Sequence, residues 1–365
     1  MNLENTVGKR IVWADTARAL GIFLVVLGHN SVPPFIGKYI FSFHMPLFFF
    51  ISGYLFDMGK YANFRDFLTK KRDSILIPYF VFSFISYVFW AFFAIRFEES
   101  QGVDILTPFI GIFYSNNKYA PMTHNGVLWF LTCLFIVELM FYLIRKKTVN
   151  DHTLLLLLIA SSIVGYLGSV YVPFGMPWST NVAFTGIVFF GLGYLAKNNQ
   201  GKICLNLLLP HRILIILLCL GINVFFCSMN GQIDMNVNRY HNYFYFYIES
   251  MSGIGACIAI SQLMRPSRVL SYLGANTLLI FALHGIVLRI IKGIQLFMFG
   301  IPLELCRNSL VWGCIYTIGA LSMLIPVMWT INKYVPFIAG IRNDGKKFVS
   351  VEQVRMVSSL RRSLD

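Results

Sequence analysis

The chain has 365 residues, of which 57% are hydrophobic, 16% aromatic and only 13% charged, with a mean hydropathy of +0.66. A soluble domain carries about 25% charged residues, so the composition excludes an ordinary soluble enzyme, a disordered chain and a small disulfide scaffold. The net charge of +14 does not mark a nucleic-acid binder either, because the basic residues come in short groups between apolar runs and form no single patch interleaved with aromatics.

In chain order, apolar runs of about 20 residues, each enough to cross a bilayer core of roughly 30 Å, predict about ten transmembrane helices. They fall at 11–29, 38–57, 75–95, 126–144, 153–171, 181–196, 212–228, 243–264, 277–296 and 309–331. The expected fold is therefore an all-α polytopic membrane bundle over residues 1–340. A basic tail over 341–365 is expected to touch only the membrane surface. Lys9 and Arg10 resemble the start of a signal peptide, but Asp15 and Arg18 interrupt the following run and no small-residue cleavage site follows it. The first run is expected to remain as a helix.

An even number of spans puts both termini on one side. With the N-terminus inside, cytoplasmic segments hold 22 of the 30 Lys and Arg residues, among them Lys60, Arg65, Lys70, Lys71, Arg72, Arg145, Lys146 and Lys147. The outer segments and the helix ends facing them hold seven, and Arg18 alone lies deep in a span. This asymmetry predicts both termini in the cytoplasm. The longest outer loop, 96–125, carries Glu98, Glu99, Asp104, Asn116 and Asn117, a length that points to function or disorder. There is no internal repeat. The seven cysteines are scattered singly with no C-x-x-C pair, and they read as small core residues without a disulfide or metal role.

A charge near the bilayer centre costs a few kcal/mol or more, which makes each deep charge a candidate. The set is Asp15, Arg18, Glu138, Glu249 and Arg289, with His29, His44 and His284 beside them. Helical spacing puts residues 15, 18, 22, 25 and 29 on one face, which is expected to line a continuous polar channel. Arg18 and His29 lie about 16 Å apart along that helix. Arg18 is expected to be balanced by Asp15 or Glu138, and His29 and His44 to lie near the outer surface. The bland alternative makes Asp15–Arg18 a local pair that locks the helix, and His44 and His284 hydrogen-bonded core residues. The chemical reading is general-base catalysis with charge stabilisation. Histidine exchanges protons near neutrality, and arginine holds a phosphate or a developing oxyanion. No G-x-S-x-G, P-loop, H-E-x-x-H or G-x-G-x-x-G motif occurs, so hydrolase, nucleotidase and metalloprotease readings lack motif support.

Trp13, Asp15, Arg18 and Gly21, followed by Val26, Gly28 and His29, resemble the R-x10-H arrangement of the acyltransferase 3 family of bacterial membrane O-acyltransferases, and in particular its fucose 4-O-acetylase-like branch. The stretch from Phe43 to Leu55 is similar to a second family block. Asn125 to Leu131 with Glu138 resembles a third, and Leu273 to Thr277 with His284 a fourth; Ile77, Pro78 and Tyr79 also fit. The chain departs from the pattern at Ser74, where a basic residue often stands, and Arg72, Lys70 or Lys71 would supply that charge.

The resemblance implies transfer of an acyl group, usually acetyl from acetyl-CoA, to a hydroxyl of an envelope polysaccharide or a lipid-linked sugar in the bacterial inner membrane. It implies His29, Arg18, His44 and Asp15 as the catalytic set, with His29 favoured over His44 as base. Arg72, Lys71, Asn125, Trp129, Glu138, Asn276 and His284 are implied as donor- or acceptor-binding. Acetyl-CoA is then a co-substrate, with no permanently bound cofactor or metal and no nucleic-acid partner. The basic segment 60–72 would attract the donor's phosphates. The competing reading is a secondary transporter or lipid-linked glycan flippase, since intramembrane charges serve transport as well. A purely structural scaffold would leave Arg18 and His29 without a purpose.

Overall fold

The computed structural model describes residues 6–7, 10–30, 32–96, 104–118, 121–148, 150–199 and 208–341. Glu98, Glu99, Cys204 and the basic tail from 342 lie outside the described residues. In chain order the helices are α1 (Val12–Gly28), α2 (Pro34–Leu55), α3 (Phe64–Lys71), α4 (Ile77–Phe92), α5 (Leu106–Tyr114), α6 (Trp129–Lys147) and α7 (Asp151–Tyr171). They continue with α8 (Thr180–Asn198), α9 (Leu209–Met229), α10 (Tyr243–Leu263), α11 (Arg268–Ala275), α12 (Thr277–Phe299) and α13 (Leu310–Tyr334). The result is an all-α polytopic bundle. Among the described residues nine helical segments are long and apolar enough to cross a membrane, each overlapping an expected span.

The tenth expected span is α1, which differs from the rest. Its 17 residues rise only about 25 Å, and ten of them are buried. It packs against α2, α10, α11, α12 and α13, so it is the central post of the bundle. A helix enclosed by other helices needs neither a lipid-matched length nor an uninterrupted apolar surface, which is why Asp15 and Arg18 are tolerated in it. At the periphery, α9 buries only Asn223 and Cys227 along 21 residues.

Two prolines shape the bundle near the site. Pro46 lies inside α2 and cannot donate to the Ser42 carbonyl one turn back; the Ser250 hydroxyl of α10 donates to that carbonyl instead (2.6 Å). Pro78 likewise cannot serve the Ser74 carbonyl. Here the chain runs from α3 into α4 through a π-helical turn, Arg72–Leu76, in which Ile77 N–H reaches back to the Arg72 carbonyl. A Cβ on Gly340 would collide with the Ser74 carbonyl, and Gly340 has φ +74°, so only glycine fits where the short turn Pro336–Ala339 packs over this π turn. Glycine also sets the contact of α2 with α8, where a Cβ on Gly53 would strike the Phe190 carbonyl; close approach of this kind is how membrane helices associate.

The segment 58–74, expected as a basic loop, is largely helical. The Asn63 side chain accepts from Asp66 N–H (2.9 Å) and caps α3, while Asp66 and Lys70 pair at i, i+4 (2.8 Å), both recognised helix-starting devices. The expected outer loop contains α5, which the Tyr79 hydroxyl anchors by donating to the Ile112 carbonyl (2.6 Å).

Candidate active site

A cavity of about 440 Å³ opens beside the N-terminal half of α1, within the roughly 300–1,000 Å³ usual for small-molecule sites. Arg18, Lys60, Lys71, Asp57 and Glu138 supply its charge, and Phe48, Phe130 and Phe281 its aromatic walls. Arg18 lies 3.8 Å from Asp15 and 3.5 Å from the Gly274 carbonyl. Gly274 has to be glycine, because a Cβ there would run into the Asp15 carbonyl; the close approach of α11 to α1 is what brings its carbonyl to the guanidinium.

Glu138 does not balance Arg18. It pairs with Lys71 (2.7 Å), and the two side chains are only 6% and 15% exposed. The Lys71 ammonium also lies 5.8 Å from the ring centres of Phe56 and Tyr61. Lys70 reaches the Lys60 carbonyl (2.6 Å), holding the turn that carries Lys60 and Tyr61 over the cavity. Arg72 is elsewhere: its side chain is 60% exposed and paired with Asp73 (2.8 Å). Of Lys71 and Arg72, Lys71 is the one that lines the cavity. Lys60, in the basic segment expected to attract phosphates, and Ser52 and Thr277, in the family blocks, line the cavity as well; Asp57, Tyr61 and Phe281 do too and were not singled out from the sequence. The Asp57 side chain accepts from Gly59 N–H (3.0 Å), a capping pattern that would have marked this turn.

The other end of α1 carries histidines. His29 caps the helix and its side chain is exposed. His284 of α12 is its neighbour, with ring centroids 5.2 Å apart. His44 is buried mid-way along α2, not near an outer surface as expected, and the Phe41 ring lies near both it (5.0 Å) and His29 (6.2 Å). His44 Nδ1 donates to the Ile40 carbonyl (2.8 Å), and His284 Nδ1 to the carbonyls of Ile280 (3.0 Å) and Phe281 (2.9 Å).

The face of α1 between Arg18 and His29, expected to line a continuous polar channel, is apolar. Ile22 and Val25 occupy that face of α1 and are buried. The cavity ends at Phe281, whose ring lies 6.3 Å from that of His284 and 5.5 Å from Phe130. An aromatic partition thus separates the charged cavity from the histidines.

The remaining candidates brace this frame. Asn125 donates to the Ser86 hydroxyl (2.9 Å) and the Ala282 carbonyl (2.8 Å), tying α4 to α12. Asn276 fills the break between α11 and α12, donating to Tyr272 (2.8 Å) and accepting from Asn332 (2.6 Å). Trp129 begins α6 and is buried in the core, away from the cavity; its neighbour Phe130 is the residue that lines it. Arg289 donates to the carbonyls of His124 (2.8 Å) and Thr123 (3.1 Å), and Glu249 accepts from Asn230 (2.6 Å).

No curated protein and no solved structure gives a significant match to the chain. A family model described as an acyltransferase domain, that of acyltransferase 3, matches residues 11–335. That match takes in α1 with Arg18 and His29, the cavity and all nine membrane-length helices, and the chain belongs to the acyltransferase 3 family as a multi-pass membrane acyltransferase.

Proposed function

We propose that the protein transfers an acetyl group from cytosolic acetyl-CoA to a hydroxyl of a cell-envelope sugar, polymeric or lipid-linked, in the bacterial inner membrane. One observation carries this reading: Arg18, Lys60 and Lys71 meet in a single cavity whose far wall, Phe281, adjoins His284. Three cations suit the phosphates of the donor. The aromatic walls suit an acyl-pantetheine arm and keep water from the thioester. His29 is the general base for the acceptor hydroxyl, and Arg18, steadied by Asp15, is the cation nearest the acyl path. The fucose 4-O-acetylase-like blocks of the sequence favour a sugar as acceptor. The same reading puts both termini and the Lys60–Arg72 segment in the cytoplasm, in line with the distribution of basic residues.

Membranes containing the protein, given labelled acetyl-CoA, should consume donor and gain label in the glycan fraction. Undiminished donor and unlabelled glycan would refute the reading. Glycan translocation without donor consumption would favour a flippase.

A further inference from the structure

Beside His29 lies a buried group, His284, for which the family resemblance implies only donor or acceptor binding. His284 is 1% exposed, and its Nδ1 faces two backbone carbonyls. A carbonyl has no hydrogen to give, so Nδ1 carries the N–H and the lone pair of neutral His284 sits on Nε2. That Nε2 is buried and has no hydrogen-bond partner among the described residues. A buried acceptor left unmatched is costly, and the ring next to it is that of His29, inclined by 41°. The turn of α12 that presents His284 is itself pinned, because Asn125 donates to the Ala282 carbonyl two residues earlier (2.8 Å). His44 is not placed to do the same, since its ring packs against Phe41.

We propose that His284 is the positioning residue of the His29 base, a role that rests on the acyl-transfer reading above. In the reacting complex its Nε2, unmatched in the structure, accepts the single N–H of neutral His29. The second His29 nitrogen then presents its lone pair to the acceptor hydroxyl. As the hydroxyl oxygen bonds to the thioester carbonyl carbon, its proton passes to that nitrogen. When the C–S bond breaks, the proton passes to the departing thiolate, which leaves as free thiol. His284 stays neutral throughout and holds the N–H of the transient imidazolium. A carboxylate orienting a base in other enzymes would place a charge in this apolar interior; a second imidazole avoids that cost.

The test uses the full chain in nanodiscs with ¹⁵N-histidine, the His29 signals being assigned by their loss in His29→Ala. In the parent protein His29 should show one ring tautomer. His284→Phe, which keeps the ring shape and removes the acceptor, should give His29 a mixture of tautomers, and His284→Gln, which restores an acceptor, should return it to one. With labelled acetyl-CoA and membranes of a strain lacking the protein as acceptor source, His284→Phe should lose about 10²-fold in kcat, the low end of what a general base supplies. The KM for acetyl-CoA should be unchanged, and His284→Gln should recover most of the rate. Identical His29 signals in the parent and in His284→Phe would overturn the proposal, whatever the rates. If the tautomer shifts as stated while His29→Ala retains full activity, the pairing stands and the base reading falls instead.

Discussion

The two ends of α1 solve different problems with different chemistry. At the Arg18 end the polar groups are charged and matched by opposite charges or carbonyls: Arg18 with Asp15 and Gly274, Lys71 with Glu138. At the His29 end the polar groups are imidazoles, two of them tied to carbonyls of their own helices. Charge attracts an anionic ligand over a distance, whereas a neutral lone pair acts only on the proton in front of it.

The sharpest way to break this contrast is at the histidine end. His29→Ala should lower the acetyl-transfer rate by about 10²–10⁴ with the folded protein still taking up donor, as read by transfer and by donor binding on the same purified sample. His44→Ala should cost much less, because its ring is in the packed interior of α2; equal losses would erase the distinction between the two histidines.

At the charged end the expected loss is first one of stability. Removing one partner of a buried ion pair leaves the other charge uncompensated, worth about 3–5 kcal/mol, so Glu138→Gln should unfold markedly earlier in a detergent denaturation series. The double variant Lys71→Met with Glu138→Leu should regain that stability yet bind acetyl-CoA more weakly, separating the structural from the binding role of Lys71. A double variant with parental donor affinity would remove Lys71 from the site.

Arg18→Lys comes next. It keeps the charge and loses the fork, so donor affinity should fall about 10- to 150-fold, in proportion to one charge-assisted hydrogen bond of roughly 1.5–3 kcal/mol. Protein level in the membrane should be unchanged; a drop in level with normal specific activity would mean that Arg18 serves only to lock α1 through Asp15. The smallest effect is expected at the partition. Phe281→Ala should raise acetyl-CoA hydrolysis in the absence of acceptor by a few-fold, since water then reaches the thioester, while Phe281→Leu should stay near the parent value.

The spans are legible because long apolar runs have few alternatives in a bilayer, and nine of ten expected segments have the length and composition to cross it. The special status of α1 is half legible: Asp15, Arg18 and His29 betray a polar face, but the enclosure of that helix by five others depends on packing that no local pattern encodes. The segment 58–74 reads as an inner loop because of its Lys and Arg. The signals that overrule this, the Asn63 cap and the Asp66–Lys70 pair, are short and easily passed over. Choosing Lys71 over Arg72 is beyond the sequence, because neighbouring helical residues point about 100° apart and only the packing of α3 decides which of them faces the cavity. Arg289 shows the opposite limit. A deep arginine invites a catalytic role, yet its donors meet the carbonyls of Thr123 and His124, a bracing function that follows only from where the 121–125 segment folds.

The packing of Gly340 over the Ser74 carbonyl bears on how the protein is handled at the bench. The turn that presents Lys71 to the cavity is clamped from outside by the last described stretch of chain, Pro336–Ile341. An affinity handle or fluorescent reporter joined beyond Ile341 leaves the clamp whole. A fusion junction placed a few residues earlier, anywhere from Pro336 to Gly340, would slacken the α3–α4 hinge and blunt donor uptake with every membrane-crossing helix still in place.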